Sequence, residues 1–318
     1  MTASAAIRVI LDADHGIDDT MATFYLASQS NVEIVAVGTV HGNAHADQAA
    51  RNALQVLELV GLPDVPVAVG AATPLAQLVD IAAMVHGDDG LGGEARVVDR
   101  EPSEESAVEQ LVRLARSVPG ELEILATGPL TNLALALLVE PRLPELIKRV
   151  VIMGGTIGVP GNTSPNTEAN IWHDPEAAAL VFARMTNIVL APLDVTKTNW
   201  VDEDALGAIA RAPANASNDF LRKILVQYEA FNRGESGRAG FPLHDPTAAI
   251  LMVKPQLAEY IQTPLDVELR GEYTRGMVIA DRRAGAASAT GQHSVKVAMS
   301  MNRDDVVAEF LHGVLRYP

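Results

Sequence analysis

The sequence predicts an α/β fold, an open and mostly parallel sheet flanked by helices, from two observations. Short apolar, β-branched runs alternate with longer stretches of helically spaced apolar residues, the pattern of repeated β-α-β units. Polar side chains collect directly after the carboxyl ends of those runs, where open α/β sheets bind their ligands. The chain has 318 residues, 48% of them hydrophobic, and no linker, repeat or low-complexity stretch divides it. A single domain over 1–318 is expected.

Ile7 to Leu11 has the length and β-branching of a buried strand, and Gly16 allows a tight turn into a helix through Met21, Ala22 and Leu26. Val32 to Val40 reads as a second strand ending at His41-Gly42-Asn43, Ala46 to Val60 as a helix, and Val65 to Val69 as a short third strand. Met84 to Gly93, glycine-rich and irregular, is expected as a loop at the mouth of a site. Ser103 to Ser117 reads as a helix, with Ser103 and Ser106 offering a capping start. Leu122 to Ala126 is a strand, followed by a sharp turn from Thr127 and an apolar helix from Leu133 to Val139.

Val150 to Met153 is another strand, and it opens a polar loop carrying Asn162, Asn166, Glu168 and Asn170, amide and carboxylate groups suited to a hydroxyl-rich ligand. Pro175 sits at its favoured first helical position behind Asp174, and Asn187 to Ala191 is a strand. Asp202 to Phe231 reads as mainly helical, Arg233 to Gly240 as a charged loop, and Thr247 to Val253 as an apolar helix behind His244-Asp245. Leu265 to Leu269, Gly276 to Ile279 and Val295 to Met299 read as strands, antiparallel at the sheet's edge. Asp304 to Leu315 closes the chain as a helix.

The first strand ends in acid, with Asp12, Asp14, Asp18 and Asp19 inside eight residues. Along an extended chain Asp12 and Asp14 face the same side, while Asp18 and Asp19 fall in the first helical turn and project about 100° apart. An aspartate at a helix start is ordinarily a cap. Four carboxylates in one small volume, however, repel by up to about 4 kcal/mol per close pair, and a cation is the simplest remedy. The expected ion is hard and bound by oxygen, calcium before magnesium. An EF-hand is excluded, because the twelfth position counted from Asp12 is Thr23.

The formal net charge of −16 argues against nucleic acid or an anionic membrane surface as partner, and a neutral small molecule fits better. The chain has no cysteine, hence no disulfide framework and no thiol chemistry. The N-terminus lacks a basic region followed by a long apolar one, and no apolar stretch reaches about eighteen residues, so a soluble cytoplasmic protein is expected. A homodimer or homotetramer is expected as well.

The motifs DADHGIDD, HGN, ATGPLTN, MGG, GN followed by EAN, DPEAA and HDP occur in this order along the chain. In this the sequence resembles the inosine-uridine nucleoside hydrolase family over nearly its whole length. The resemblance implies that family's fold, with a Rossmann-like core, and calcium-dependent hydrolysis of the bond between ribose and a nucleobase. By the same resemblance Asp14, Asp19, Asp245 and the Thr127 carbonyl are the calcium ligands, Asp14 takes a proton from the attacking water, and Asp12 supports the site. Asp18, Asn43, Asn162, Glu168 and Asn170 match residues that bind ribose hydroxyls. His244 matches a residue assisting the departing base, and His86 lies in a loop that often adds a second pocket histidine.

The chain departs from the family at four positions. His15 stands where proline is usual, and His41 where a small apolar residue is common, so two extra imidazoles are expected to flank the acids. Ala169 replaces a bulky aromatic, for which Trp172 or Tyr228 would compensate by stacking on the base. Lys197 stands where a histidine is frequent, and the sequence offers no physical account of it. These departures bear on the preferred base, purine or pyrimidine. A haloacid-dehalogenase-like phosphatase also begins with Asp-x-Asp, but wants Thr or Val where this chain has Gly16. A catalytically silent nucleoside-binding protein would keep the metal and ribose contacts, and the presence of Asp14 and His244 speaks against it.

Overall fold

The computed structural model describes residues 6–283 and 293–317. Residues 1–5, part of the N-terminal stretch read above for a leader, lie outside the described residues. Eight strands form the central sheet in the order β3-β2-β1-β4-β5-β6-β12-β9. In chain order these are β1 (Ile7–Ala13), β2 (Val32–Thr39), β3 (Val67–Val69), β4 (Leu122–Ala126), β5 (Ile147–Met153), β6 (Ile188–Ala191), β9 (Ala258–Thr263) and β12 (Val295–Met301). All neighbours pair in parallel except β12 and β9, which are antiparallel.

Strand alternation distributes the apolar side chains to two cores. Val9 and Leu11 of β1 enter one cluster and Ile10 the other, and in β5 Val151 and Met153 part from Val150 and Ile152 in the same way. A strand covered on both faces needs apolar residues at every position, which is why these segments read as continuous runs. The first cluster is closed by α1 (Ile17–Ala27), α2 (Ala46–Leu59), α11 (Ala216–Ser236), α12 (Asp245–Val253) and α13 (Arg303–Val314). The second lies under α4 (Ala107–Ser117), α5 (Thr131–Val139) and α8 (Pro175–Arg184). Among the described residues, no helix is long and apolar enough to cross a membrane.

Several elements differ from the sequence expectation. The helix expected from Ser103 starts at Ala107: Ser106 is its cap, accepting from the Glu109 N–H while the Glu109 carboxylate accepts from the Ser106 N–H, whereas Ser103 bridges to Ala68. α11 continues to Ser236 and stops where Gly237 turns left-handed at φ 70°, so most of the loop expected over Arg233 to Gly240 is helix. Leu265–Val267 (β10) and Val278–Ala280 (β11) form a separate antiparallel pair, and β12 joins the main sheet in parallel beside β6. The antiparallel edge strand is β9, which the sequence did not suggest. Two further residue pairs, Trp200–Val201 (β7) and Phe241–Pro242 (β8), bring the segment before α12 against the segment after β6.

Candidate active site

The chain runs outward from β1 through β2 to β3, then restarts on the opposite side of β1 at β4. At such a switch the segments leaving the carboxyl ends of two neighbouring strands part in opposite directions and leave a crevice. Asp14 follows β1 and Thr127 follows β4 on this edge. Two helices add their N-termini: α1 brings Asp18 and Asp19 in its first turn, and α12, packed against α1, brings Asp245 at its first position. The positive end of each helix favours carboxylates there.

The acids form one connected set. Carboxylate oxygens of Asp18, Asp19 and Asp245 lie within 4.8 Å of one another, and all three residues are buried. Asn43, at the carboxyl end of β2, ties Asp14 to them. Its backbone N–H donates to Asp14 Oδ2 at 2.8 Å, and its amide donates to Asp14 Oδ1 and to Asp19 Oδ2, each at 3.0 Å. The Thr127 hydroxyl donates to Asp19 Oδ1 at 2.6 Å. Positions 14, 18, 19, 43, 127 and 245, far apart in the sequence, thus converge. The three-acid group contains Asp18 as well as the expected ligands Asp19 and Asp245, and Asp14 reaches Asp19 through Asn43.

Close packing around Asp14 explains one glycine. Gly42 sits at φ +151°, and a Cβ there would lie 2.0 Å from Asp14 Oδ2. Asp12 is turned to a different partner, with Oδ1 accepting from the Asn132 amide at 2.7 Å. That same amide donates to the Thr39 carbonyl at 2.9 Å, so Asn132 pins the ends of β1 and β2 beside the crevice. Asn132 lies inside the ATGPLTN motif, but its role had no sequence signal because its partner is 120 residues away.

His86 does not come from an irregular loop. It ends a four-residue helix, α3 (Ala83–His86), with Nδ1 accepting from the Ile17 N–H at 3.1 Å and Nε2 standing 3.9 Å from Asp18 Oδ1. His244 occupies the N-cap position of α12 without a side-chain capping bond, and its Nδ1 is 2.8 Å from the hydroxyl of Thr196. Tyr228 is 2% exposed between His86 and Phe241, and its hydroxyl donates to Asp18 Oδ2 at 3.3 Å. Its link to the site is this hydroxyl, since no open ring face remains for stacking. Trp172, on α7 (Ala169–His173), meets the His173 ring edge-on at 5.4 Å, and its carbonyl accepts from Gln77. Neither contact joins it to the acids.

The polar loop arches back to the same edge. Glu168 caps α7 and accepts from the N–H groups of Asn170, Gly155 and Ile171. The Asn170 amide donates to the Thr127 carbonyl at 2.8 Å, and Asn162 fastens the loop to itself by accepting from the Ala169 N–H. The two extra imidazoles separate. His15 is fully buried at φ 33° with neither ring nitrogen partnered, close enough to Asp19 to feel its charge. His41 instead faces the Thr131 hydroxyl at 3.3 Å, so it does not flank the acids. Positions 41 and 43 would share a side in a regular strand, but β2 ends at Thr39 and Gly42 stands at φ 151°, so the chain turns between them and Asn43 reaches the carboxylates while His41 meets Thr131.

Burial, and then repulsion from neighbouring acids, pushes Asp14, Asp19 and Asp245 above the ordinary carboxylate range; burial does the same to Asp18. Burial also raises Asp12 and Glu168 to about 7, and lowers His86 to about 4 and His244 to about 3, so both imidazoles are neutral at pH 7. Asp18 Oδ1 and Asp245 Oδ2 are buried and receive no hydrogen bond. Oxygen-only donors, crowded and underserved by N–H groups, suit a hard divalent ion.

The family model described as inosine-uridine preferring nucleoside hydrolase matches residues 9–308. A pyrimidine-specific ribonucleoside hydrolase, RihA, of Citrobacter koseri is 37% identical over 87% of this chain and 88% of its own length. A probable uridine nucleosidase of Arabidopsis thaliana is 34% identical over 94% of this chain and 95% of its own. The solved structure of a plant nucleoside hydrolase, PpNRh1, superposes with a TM-score of 0.91 at 31% identity, covering 98% of this chain and 99% of the other.

Proposed function

The chain belongs to the inosine-uridine preferring nucleoside hydrolase family, and from that premise we propose that it hydrolyses the N-glycosidic bond of ribonucleosides with a calcium ion in the acidic cluster. The observation that carries this reading is the convergence of Asp14, Asp18, Asp19 and Asp245 around Asn43 and Thr127. Asp14, Asp19, Asp245 and the Thr127 carbonyl would hold the ion, with Asp18 beside them. The ion supplies positive charge that offsets the crowded carboxylates and polarises oxygen ligands.

The remaining chemistry belongs to the chain. Breaking the bond builds positive charge on the ribosyl ring, and carboxylates fixed in a buried site stabilise that charge more in the transition state than in the ground state. Asp14, fixed through both oxygens by Asn43, takes the proton of the attacking water. Asp18, Asn43, Glu168 and Asn170 hold the ribose hydroxyls, and Asn162 closes the loop over them. His244 assists the leaving base. Because the ring is neutral at pH 7, it serves as an N–H donor from Nε2 when Thr196 donates to Nδ1. His86, with Nε2 3.9 Å from Asp18 Oδ1, is a second polar group. Ribonucleosides are the substrate class, and the names of the two curated relatives make uridine the first to test.

The test is reducing-sugar release from uridine, cytidine, inosine and adenosine, with and without a chelator. Sugar release that the chelator abolishes and calcium restores supports the reading; release of phosphate from phosphomonoesters with no sugar from any nucleoside would overturn it. Calcium should also raise the melting temperature, by the equivalent of about 3 kcal/mol at a hundredfold excess over Kd. Asp245→Asn should lose most of that rise.

A further inference from the structure

Asp89 turns its carboxylate into its own loop. Oδ1 accepts from the N–H groups of Leu91 and Gly93, and Oδ2 from that of Ala95, each at 2.9 Å. Three amides converge on one side chain because the backbone is left-handed at Gly92 and Gly93, at φ 66° and 88°. Leu91 is fully buried in the core that α1 and α2 close, and the Asp89 carbonyl accepts from the Asn52 amide at 2.8 Å. That amide also donates to the His15 carbonyl at 3.1 Å, so the loop is fastened to the turn that precedes α1.

The loop in turn grips His86. The Gly92 N–H donates to the His86 carbonyl at 2.8 Å, and a Cβ at Gly92 would stand 2.9 Å from Gln227 Cβ on α11, so no side chain fits at the grip. The ring is held from the other side by Ile17, the first residue of α1, whose N–H donates to Nδ1 at 3.1 Å. A neutral ring that accepts at Nδ1 carries its N–H on Nε2. Nε2 stands 3.9 Å from Asp18 Oδ1, a buried oxygen that receives no hydrogen bond. One ring thus joins the glycine loop to the acids, and the place of its donor edge depends on where the main chain of residue 86 is held.

We propose that Asp89 is a positioning residue for the hydrolysis: by gathering three N–H groups it fixes the Gly92 amide that holds His86, and so keeps the Nε2–H beside Asp18. This rests on the nucleoside hydrolase reading and on the place it gives His86. A carboxylate suits the task, because charge-assisted bonds to three amides hold a glycine-rich stretch whose backbone is otherwise costly to order. An aspartate that closes a surface loop is ordinarily only a turn residue. Opening a turn of that kind would cost stability, but its effect on turnover would not depend on which residue stands at position 86.

The experiment is a double-mutant cycle on kcat/KM for uridine. Asp89→Ala should lose about tenfold, since displacing a working group by about 1 Å costs up to about 100-fold. His86→Asn retains an acceptor near the Nδ1 position for the Ile17 N–H and removes the Nε2–H, and it should lose about 10- to 100-fold. Because Asp89 acts through the ring, the double variant should lie within about twofold of His86→Asn alone. Asp89→Asn, which keeps one oxygen for the amides, repeats the cycle should the alanine variant not fold. Melting temperature with and without calcium is the control: Asp89→Ala should melt lower than the wild type, with the calcium-induced rise unchanged. Losses that multiply in the double variant, either single variant at the wild-type rate, or disappearance of the calcium-induced rise would overturn the role of Asp89 and leave the hydrolase reading intact. A wild-type enzyme that releases sugar from no nucleoside would overturn both.

Discussion

Asn43 holds Asp14 by two hydrogen bonds at once, from its backbone N–H at 2.8 Å and from its amide at 3.0 Å, and spends the same amide on Asp19. One neutral side chain therefore sets the spacing of two carboxylates that would otherwise repel. Asn43→Ala keeps the backbone bond and removes the other two. Since hydrogen bonds to charged groups contribute about 1.5–3 kcal/mol each, kcat/KM on uridine should fall by about 100-fold. Asn43→Asp should be worse, because it turns a donor into an acceptor facing two acids. Steady-state kinetics with saturating calcium check both, and a wild-type rate from Asn43→Ala would remove the bridge from the mechanism.

The Thr196 hydroxyl fixes which nitrogen of His244 faces the site. Thr196→Val has nearly the same shape and lacks the hydroxyl, freeing Nδ1 and with it the ring's orientation. Turnover on uridine should drop by about tenfold, toward the low end of what proton or hydrogen-bond assistance contributes, while calcium still raises the melting temperature as in the wild type. Loss of the calcium effect would show that the substitution had disturbed Asp245, the next residue after His244, and that the ring was not the part affected.

Glu168 gives a pH dependence of definite sign. Burial raises its carboxyl to about 7 from 4.5, outweighing the three N–H groups that favour the anion. The folded protein therefore keeps a proton that the unfolded chain has already released, and stability falls as pH rises from about 4.5 through about 7, by up to about 3 kcal/mol in all. Urea midpoints measured in chelator between about pH 5 and 8 should decline with pH. Glu168→Gln should be less stable at low pH, because its NH2 meets a backbone N–H, and should show a shallower decline. An equal slope in both proteins would mean that Glu168 does not titrate in this range.

Much of this site was legible because its signals are local. The run from Ile7 to Asp19 contains a strand, a turn and a helix start in sequence, and their geometry alone forces the acids together. What escaped reading had no local signature. β9 is a half-exposed edge strand with only its last residue buried, so no apolar run marks it. α9 (Leu193–Thr196) is too short for any periodicity, yet it anchors His244 and the polar loop. His41 was expected beside the acids because it precedes Gly42-Asn43, but the backbone turns at Gly42, φ 151°, and His41 meets Thr131 instead. The pairings of Asp12 with Asn132 and of Thr196 with His244 join residues that only the completed sheet brings together.

Tyr228 separates two roles that the sequence could not tell apart. Its ring is enclosed by His86 and Phe241, and its hydroxyl donates to Asp18 Oδ2 at 3.3 Å. Burial, then the charges of Asp18 and Asp245, keep that phenol protonated and so a donor. Tyr228→Phe preserves the packing and removes only the donor. If Tyr228 acts through Asp18, the variant should fold normally and lose about 3- to 10-fold in kcat/KM on every nucleoside alike, since a bond of 3.3 Å is at the weak end for a charged acceptor. If the ring instead stacked on the base, Tyr228→Phe would keep full activity, and Tyr228→Leu would raise KM for nucleosides while sparing p-nitrophenyl riboside. Kinetics of the phenylalanine variant on two nucleosides with different bases decide between them, and a uniform loss in both assigns Tyr228 to the ribose side.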